Sequence, residues 1–360
     1  MRIAVNTRLL LKGRLEGIGW YTFETLSRIV KSHPEHDFYF LFDRPYSEEF
    51  VFAENVHPII VGPPTRHPLL WYYWFEIRIP KILKKLKADI FLSTDGFLSL
   101  VSKTPSIAVI HDINFKHHPK DLKFSHRIFY NHFFKKYAQK ASRIVTVSNY
   151  SKTDICDNYR IQASKIDVSL NGVNTNFHPI GIDQQIAIRK KYSAGKDYFL
   201  FVGALHPRKN ISRLLEAFDQ FKSKTNSTNK LLIVGAKMWW NKQLEASFNQ
   251  MCHKKDVIFT GRKSPEDLNQ LYASALAFCF VPYFEGFGIP ILEAMKCACP
   301  VITSNITSMP EVADDAALLV NPYDVDEISS AMIKLNWNND LRSELSARGQ
   351  IHAQHFNWNT

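Results

Sequence analysis

Two glutamates eight positions apart, Glu285 and Glu293, are the acids of this sequence that are best placed to do chemistry. Glu285 begins a Gly-Phe-Gly turn after an apolar stretch over 277–282, and Glu293 lies about one turn into a predicted helix. A glycine turn between a strand and a helix can bind an anion, because backbone N–H groups and the helix dipole face the ligand. Carboxylates would repel a phosphate, so we interpret them as ligands for the hydroxyls around it. The pattern therefore predicts a site for a sugar nucleotide.

Two cations, Arg208 and Lys209, form a second candidate group. A predicted strand ends at Val202, Gly203 follows, and both cations stand just before a predicted helix over 211–222. Cations at such a junction can neutralise a diphosphate and stabilise it as a leaving group. An exposed basic loop is the alternative interpretation.

Two further candidate groups lie in the first half of the sequence. Gly17 and Gly19 open the first helix, where glycine lets backbone N–H groups approach a ligand. Their spacing differs from the dinucleotide fingerprint, so NAD is not indicated, and a plain turn is the alternative. His111 and Asp112 end an apolar strand, where they could hold a metal ion, move a proton or bind a substrate hydroxyl. A structural histidine is the alternative there.

We expect no metal centre in this chain. Asp324 and Asp326 stand at a predicted helix start, where acids interact favourably with the helix dipole. His117 and His118 lie in a basic stretch, and we expect them to have no carboxylate partner. The sequence also lacks a P-loop and the Gly-x-Ser-x-Gly nucleophile elbow, which disfavours the enzyme classes that depend on these motifs.

Length and composition are those of a globular protein with room for two domains: 360 residues, 45% of them apolar and 22% charged. No uninterrupted apolar run reaches the length of about 18 residues that a membrane span needs. The sequence begins directly with a predicted strand, so we expect no leader peptide. Its five cysteines form no paired framework, which favours reduced thiols in the cytoplasm.

The net charge of +11 is concentrated in residues 1–172, which carry 25 lysines and arginines against 16 acids. Two stretches there, 71–87 and 116–143, combine lysines with aromatic residues. This pattern suits an anionic membrane surface, and a solvated helix face over an ordinary core is the alternative. We do not expect nucleic acid as a partner, because no recognisable reading module accompanies the charge. The expected location is the cytoplasm, with the inner face of the cytoplasmic membrane left open.

Strand-like and helix-like segments alternate along the whole chain. Predicted strands fall at 2–6, 37–42, 89–93, 106–110, 143–147, 166–170, 198–202, 230–234, 257–260, 277–281 and 300–302. Predicted helices fall at 17–31, 69–87, 124–141, 149–159, 211–222, 241–253, 265–273, 291–295 and 324–335. Such repeats predict two doubly wound α/β domains with parallel sheets and a hinge near residues 171–180. Ligands bind at the carboxyl ends of such strands, so we expect the site in a cleft between the domains.

In several of these segments the chain resembles the retaining glycosyltransferases of family 4. The matching segments are Glu285–Glu293, Val202–Asn210, Val147–Ser151, Leu170–Asn174 and Gly17–Gly19. The resemblance covers nearly the whole chain, and the Pro-Arg-Lys-Asn sequence is most similar to mannosyl- and related hexosyltransferases of bacterial polysaccharide assembly. It implies the GT-B fold, in which two Rossmann-like domains face a central cleft. The implied parts are an acceptor-side domain at 1–172, a nucleotide-sugar domain at 173–345, and the start of a crossover helix at 346–360 that is cut short.

The same resemblance implies roles for single residues. Arg208 and Lys209 would bind the donor diphosphate, and they would carry more of that role here because Ala204 stands where many members have an arginine. Glu285 would contact the donor sugar, and Glu293 the ribose hydroxyls. The other implied substrate contacts are the backbone of Gly286, Phe287, Gly288 and Ile289 on sugar and phosphate, Gly17 and Gly19 on the phosphates, His111 and Asp112 beside the reacting sugar, and Arg262 near the base.

Together, these residues and this resemblance predict transfer of a hexose, with mannose favoured, to an acceptor hydroxyl with retention at the anomeric carbon. The donor would be a nucleoside diphosphate sugar, with GDP-mannose favoured and UDP- or ADP-sugars open. The acceptor would be a growing glycan or a lipid-linked saccharide of a cell-surface polysaccharide, and no metal or other cofactor is expected. A sugar-nucleotide epimerase of the same fold and a non-catalytic sugar-nucleotide-binding subunit are the alternatives.

Overall fold

The chain divides into two compact units in the computed structural model, which describes residues 1–236 and 242–359. Unit 1 comprises Met1–Asn171 with Trp358–Thr360, and unit 2 comprises Gly172–Asn357. The predicted helix start at Asn241 and the terminal Thr360 lie outside the described residues. Within the described residues, no helix is both long enough and apolar enough to cross a membrane.

Unit 1 is built on a parallel seven-stranded sheet. Its strands are β1 (Arg2–Asn6), β2 (Asp37–Phe42), β3 (Val56–Ile60), β4 (Ile90–Ser93), β5 (Ser106–Val109), β6 (Arg143–Thr146) and β7 (Ile166–Val168). The spatial order is β3-β2-β1-β4-β5-β6-β7, so β1 and β4 lie side by side at the point where the winding reverses. In register, Asn6 pairs with Ser93, and Ser93 pairs with Ala108. The carboxyl ends of these strands therefore meet at one edge of the sheet.

Six α-helices connect the strands of unit 1. They are α1 (Gly17–Ser32), α2 (Pro68–Tyr73), α3 (Ile79–Leu86), α4 (Asn114–His117), α5 (Phe124–Lys140) and α6 (Asn149–Tyr159). A π-helical segment over Trp74–Arg78 joins α2 to α3, so the single helix predicted over 69–87 has a wider middle turn. Ser148 caps α6, because its hydroxyl accepts a hydrogen bond of 3.0 Å from the backbone of Ser151.

Aromatic side chains dominate the core of unit 1. Trp74, Phe75 and Tyr137 are fully buried, and the Phe97 ring meets the Phe75 ring at 5.2 Å and the Tyr137 ring of α5 at 6.2 Å. Buried rings contribute strongly to a core, since each removes a large apolar area from water. Much of the aromatic content of the two basic stretches is thus core, as the alternative interpretation of those stretches required.

Unit 2 is built on a parallel six-stranded sheet. Its strands are β8 (Tyr198–Val202), β9 (Lys230–Val234), β10 (Val257–Gly261), β11 (Ala277–Phe280), β12 (Val301–Ser304) and β13 (Leu318–Val320). The spatial order is β10-β9-β8-β11-β12-β13, which places β8 beside β11 at the reversal of the winding. The helices are α7 (Ile182–Ser193), α8 (Ile211–Thr225), α9 (Lys242–Gln250), α10 (Pro265–Ser274), α11 (Ile289–Lys296), α12 (Met309–Ala313), α13 (Val325–Trp337) and α14 (Asn339–His352).

The C-terminal segment differs from the predicted division of the chain. The boundary predicted at residue 345 lies inside α14, so residues 346–352 complete that helix and do not start a new one. α14 packs on α11 within unit 2, where Gly349 lies against Met295 and the Ser346 hydroxyl donates to Ala298 at 2.6 Å. Trp358, by contrast, belongs to unit 1.

Candidate functional site

The centre of the sheet in unit 2 brings the predicted cations and the first glutamate to one crevice. β8 and β11 are neighbours there, and the chain leaves them in opposite directions. Such a switch point is where doubly wound sheets bind ligands, outside the carboxyl ends of the strands. Arg208 and Lys209 lie in the loop after β8, and Glu285 lies in the loop after β11.

These three side chains form an ion cluster. Arg208 Nη1 lies 2.7 Å from Glu285 Oε1, and the Lys209 ammonium bonds the same oxygen. The Lys209 ammonium also lies 4.6 Å from the centre of the Phe280 ring, a distance typical of a cation–π contact. Burial alone would raise the pKa of Glu285, but the two cations outweigh it and hold that pKa below its usual value. The carboxylate is therefore ionised, and the cluster carries one net positive charge.

Asn210, which the sequence analysis did not single out, fixes the loop that carries the cations. It adopts a left-handed backbone conformation with φ of 61°, which asparagine tolerates better than most residues. Its side-chain amide is buried and donates to the carbonyls of Val281 at 3.0 Å and Pro322 at 2.6 Å. One side chain thus ties the start of α8 to the loops after β11 and β13. An asparagine directly before a helix was the available signal.

A buried serine and a glycine fix the turn between Glu285 and α11. The Ser308 hydroxyl lies 2.9 Å from the carbonyl of Glu285 and 3.2 Å from that of Phe287. Gly288 has φ of 100°, and a Cβ there would lie 2.7 Å from the Met309 methyl group. These contacts therefore fix the backbone conformation of Gly286–Ile289, the segment that was predicted to contact sugar and phosphate. No local pattern in the sequence pointed to Ser308.

Glu293 belongs to a different set of contacts from Glu285. It lies on α11, and its Oε2 accepts a hydrogen bond of 2.9 Å from the Tyr272 hydroxyl of α10. Burial raises the pKa of Glu293 to about 7, although the Tyr272 hydroxyl acts in the opposite direction. Glu293 is thus held close to the border between its neutral and its ionised form at neutral pH. Carboxyl groups with a strongly perturbed pKa are more common at functional sites than elsewhere in proteins.

The predicted residues after β5 in unit 1 are also fixed by neighbours. His111 Nε2 donates to the Thr94 carbonyl at 2.9 Å, and the Tyr21 ring meets the imidazole edge-to-face at 4.8 Å. Burial lowers the pKa of His111, so the ring is neutral and its Nδ1 is a hydrogen-bond acceptor. Asp112 has a local role, because its Oδ1 accepts hydrogen bonds of 3.0 and 2.9 Å from the backbone and side chain of Asn114.

The two glycines at the start of α1 differ in their surroundings. A Cβ on Gly19 would lie 3.0 Å from the Leu9 carbonyl and 3.2 Å from the Leu15 side chain, so packing alone explains that glycine. A Cβ on Gly17 would meet no atom within 4 Å. Arg262 follows β10 and is exposed at the carboxyl end of that strand, on the edge of the sheet that carries the ion cluster.

A second ion pair, which the sequence analysis missed, lies at the switch point of unit 1. Arg8 follows β1, Asp95 follows β4, and Arg8 Nε lies 2.6 Å from Asp95 Oδ2 with both side chains buried. Arg8 Nη1 donates to the Thr65 hydroxyl at 3.2 Å, and the guanidinium lies 4.4 Å from the centre of the Phe97 ring. Each unit thus holds an arginine–carboxylate pair at the reversal of its sheet.

The expectation that His117 and His118 lack a carboxylate partner is wrong for His117. Its Nε2 lies 2.7 Å from Asp154 Oδ1 on α6, a residue too distant in sequence for a local pattern to reveal. Among the described residues, one group of side chains could bring three metal ligands together, namely His33, Glu35 and His36. It lies in an exposed loop at the amino end of β2, which is the opposite edge of the sheet from His111.

Family models match most of the chain in two parts. The model for glycosyltransferase family 4 matches residues 15–177, and the model for glycosyl transferases group 1 matches residues 183–352. The chain is 28% identical to O-antigen chain mannosyltransferase B of Escherichia coli over 97% of this chain and 94% of that protein. It is 29% identical to O-antigen chain mannosyltransferase RfbU of Salmonella typhimurium over 80% of this chain and 77% of that protein.

Solved structures share the fold at low sequence identity. HepE of Anabaena, solved in complex with UDP and glucose, has a TM-score of 0.78 and 16% identity, with 100% of this chain and 96% of that chain covered. WaaG, a glycosyltransferase involved in lipopolysaccharide biosynthesis, has a TM-score of 0.75 and 17% identity, with 98% and 95% covered. The predicted fold class, with two doubly wound parallel-sheet domains, is confirmed.

Proposed function

Because this chain belongs to the glycosyltransferases that join a family 4 domain to a group 1 domain, we propose that it transfers mannose from GDP-mannose to a glycan hydroxyl. The observation that carries the proposal is the cluster of Arg208, Lys209 and Glu285 at the switch point of unit 2. The choice of mannose and of an O-antigen-like glycan, free or lipid-linked, is supported by the names of the two bacterial relatives. UDP- or ADP-sugars are the alternative donors.

When the donor binds, its diphosphate would replace Glu285 as the partner of Arg208 and Lys209. The diphosphate offers Arg208 and Lys209 several charged oxygens in place of one shared carboxylate oxygen, and each such charge-assisted bond is short and strong. Glu285 would then accept hydrogen bonds from hydroxyls of the transferred sugar. The backbone of Gly286–Ile289 would follow sugar and phosphate, Glu293 would bind the ribose hydroxyls, and Arg262 would lie near the base.

We propose that transfer proceeds with retention and without a metal ion. The bond between the anomeric carbon and the diphosphate breaks, and the acceptor oxygen bonds to that carbon on the same face of the sugar. The departing phosphate oxygen takes the proton of the acceptor hydroxyl. Arg208, Lys209 and the N-terminus of α11 would stabilise the developing negative charge, and the neutral His111 could accept a sugar hydroxyl at Nδ1. The sugar would pass through an oxocarbenium-like transition state.

The first test replaces Lys209 and Glu285 separately with alanine in the purified protein. Each change should lower mannosyl transfer about a hundredfold or more, because Lys209 would stabilise the departing phosphate and Glu285 would hold the transferred sugar. Lys224→Ala is the matched control, since Lys224 is an exposed cation at the far end of α8 that pairs with Asp326. Circular dichroism checks that each variant is folded. Near-normal turnover in Lys209→Ala or Glu285→Ala would refute the assignment of these roles.

The same assay tests the remaining parts of the proposal. Proton NMR of the product reports its anomeric configuration, and an inverted product would refute retention. Excess EDTA should leave the rate unchanged, and a rate that returns only with added Mg²⁺ would refute metal-free transfer. An epimerase would act on the donor without an acceptor, whereas a binding subunit would retain the donor and turn nothing over.

A further inference from the structure

One face of unit 1 exposes large apolar side chains from two segments that are distant in sequence. α2 and the π-helical segment expose Leu69, Tyr72, Tyr73 and Ile77, and Leu69 is 74% exposed. α5 contributes Phe124, 68% exposed, and Ile128, 54% exposed. Single exposed apolar residues are normal on a soluble protein, but a contiguous group of them marks an interaction surface.

The two segments lie against each other, so these side chains belong to one surface. The Trp71 ring meets the Phe129 ring at 5.3 Å between centres, and the Tyr72 ring meets the Phe133 ring at 6.1 Å. Trp71 and Phe129 are the buried side of the contact. Residues three or four positions apart share one face of a helix. Leu69, Tyr72 and Tyr73 therefore project from one side of α2, and Phe124 and Ile128 from one side of α5.

The segments that form this surface are strongly basic. The segments 68–87 and 116–140 carry twelve lysines and arginines and two acids. One of the acids, Glu76, is buried and accepts hydrogen bonds from the backbone of Leu100 and Val101, so it adds little negative charge to the surface. The exposed lysines are Lys81, Lys84, Lys85, Lys87, Lys116, Lys120, Lys123, Lys135, Lys136 and Lys140.

We infer that this surface, termed the basic apolar face, binds an anionic lipid bilayer. Exposed tyrosine, phenylalanine and aliphatic side chains are suited to the boundary between headgroups and acyl chains, and lysines beside them to lipid phosphates. A solvated helix face explains the lysines, but it does not explain why six large apolar side chains are exposed among them. The inference does not depend on which sugar the enzyme transfers, because bilayer binding requires neither donor nor acceptor.

The experiment is co-sedimentation of the whole protein with vesicles of phosphatidylcholine, with and without phosphatidylglycerol. The wild type should sediment with the anionic vesicles and should be released by salt, since screening weakens the attraction of exposed charges. Removing one lysine should lower the partition coefficient about fivefold, so Lys81→Glu/Lys84→Glu/Lys85→Glu should lower it about a hundredfold or more. Phe124→Ser/Ile128→Ser should lower the partition coefficient to a similar extent, because it removes apolar side chains that would enter the bilayer.

α7 of unit 2 supplies a matched control. It also exposes two isoleucines one turn apart, Ile182 and Ile186, followed by the exposed lysines Lys190 and Lys191. Changing these isoleucines to serine and these lysines to glutamate should leave vesicle binding at the wild-type level. The inference is overturned if the wild type does not bind anionic vesicles at low salt, if it binds neutral vesicles equally well, or if the control variant loses as much binding. Transfer to a soluble acceptor should be equal in all variants, which separates this result from a failure of the proposed activity.

Discussion

Replacing Glu293 should separate the stability of the fold from donor binding. Burial raises the pKa of its carboxyl from 4.5 to about 7, against the opposing effect of the Tyr272 hydroxyl. The unfolded chain releases this proton near the ordinary pKa, so between pH 4.5 and about 7 the folded protein holds a proton that the unfolded chain has lost. Stability therefore falls as the pH rises through this range, and the loss is complete above the folded pKa.

The size of the effect follows from that difference in pKa. A difference of one in pKa corresponds to about 1.4 kcal/mol in the free energy of unfolding, so the upper limit of the effect is about 3 kcal/mol. Partial exposure of the side chain to water reduces the expected effect to about 1–3 kcal/mol. Glutamine cannot ionise, but its side-chain carbonyl can still accept a hydrogen bond from the Tyr272 hydroxyl. Glu293→Gln should therefore raise the free energy of unfolding by that amount above the folded pKa and leave it nearly unchanged below the ordinary pKa. The same change should weaken donor binding about tenfold or more, because it replaces a charged acceptor.

Urea unfolding over a range of pH measures the first effect, and calorimetric titration with GDP-mannose and other sugar nucleotides measures the second. Glu285→Gln is the control, because it should change the free energy of unfolding in the opposite direction. Although burial opposes it, the cations hold the pKa of Glu285 below its usual value, so its ionised form stabilises the fold. That stability is lost as the pH falls through the folded pKa, and Glu285→Gln should be the less stable protein at neutral pH. A Glu293→Gln variant that is destabilised above the folded pKa, or that is equally stabilised at every pH, would refute the reasoning.

Two further substitutions test the framework around the sites. Gly288→Ala should destabilise the fold by about 1–3 kcal/mol in thermal unfolding, because φ of 100° strains a residue that has a Cβ and the Met309 methyl group would have to move, whereas Gly181→Ala, with open space around it, should have little effect. Arg8→Met should cost about 3–5 kcal/mol by leaving the Asp95 carboxylate buried and unpaired, and Arg8→Met/Asp95→Asn should recover part of that loss. A double variant no more stable than Arg8→Met would show that the unpaired charge is not the cause.

The sequence predicted the alternating α/β fold well where strands are central and strongly apolar. β1, β2, β8 and β9 begin and end at the predicted residues. β3 was missed because it contains Pro58, which disrupts strand patterns but is tolerated at a sheet edge, where β3 lies. β13 was also missed; it has three residues and likewise lies at an edge.

Four helices were also missed, and two of them, α4 and α12, have only four and five residues. α7 and α14 are rich in charged and polar residues, and Ile182 and Ile186 of α7 are exposed, so the sequence there shows little of the apolar periodicity that marks a helix. For such helices, position in the fold outweighs the local pattern. Each of these two helices also contributes few buried side chains to the core.

The types of residue at the candidate site were predictable, but their partners were not. Motif spacing indicated Arg208, Lys209 and Glu285 separately, and the sheet order then brought them together. Ser308 and Tyr272 each act on residues more than twenty positions away, so no local pattern could reveal them. Asn210 is adjacent to the cations, yet its function depends on carbonyls of two distant loops.

In the ligand-free protein, Glu285 competes with any anion for Arg208 and Lys209. Inorganic phosphate could take the cations, but it would leave a buried carboxylate unpaired, which is unfavourable. A free sugar offers hydroxyls, but it would meet a carboxylate that is already paired. In the proposed function, a donor that joins a diphosphate to a sugar would supply charged oxygens to both cations and hydroxyl donors to the carboxylate. If the proposed function is correct, this arrangement disfavours phosphate and free hexoses as competitors through charge pairing, independently of the shape of the site.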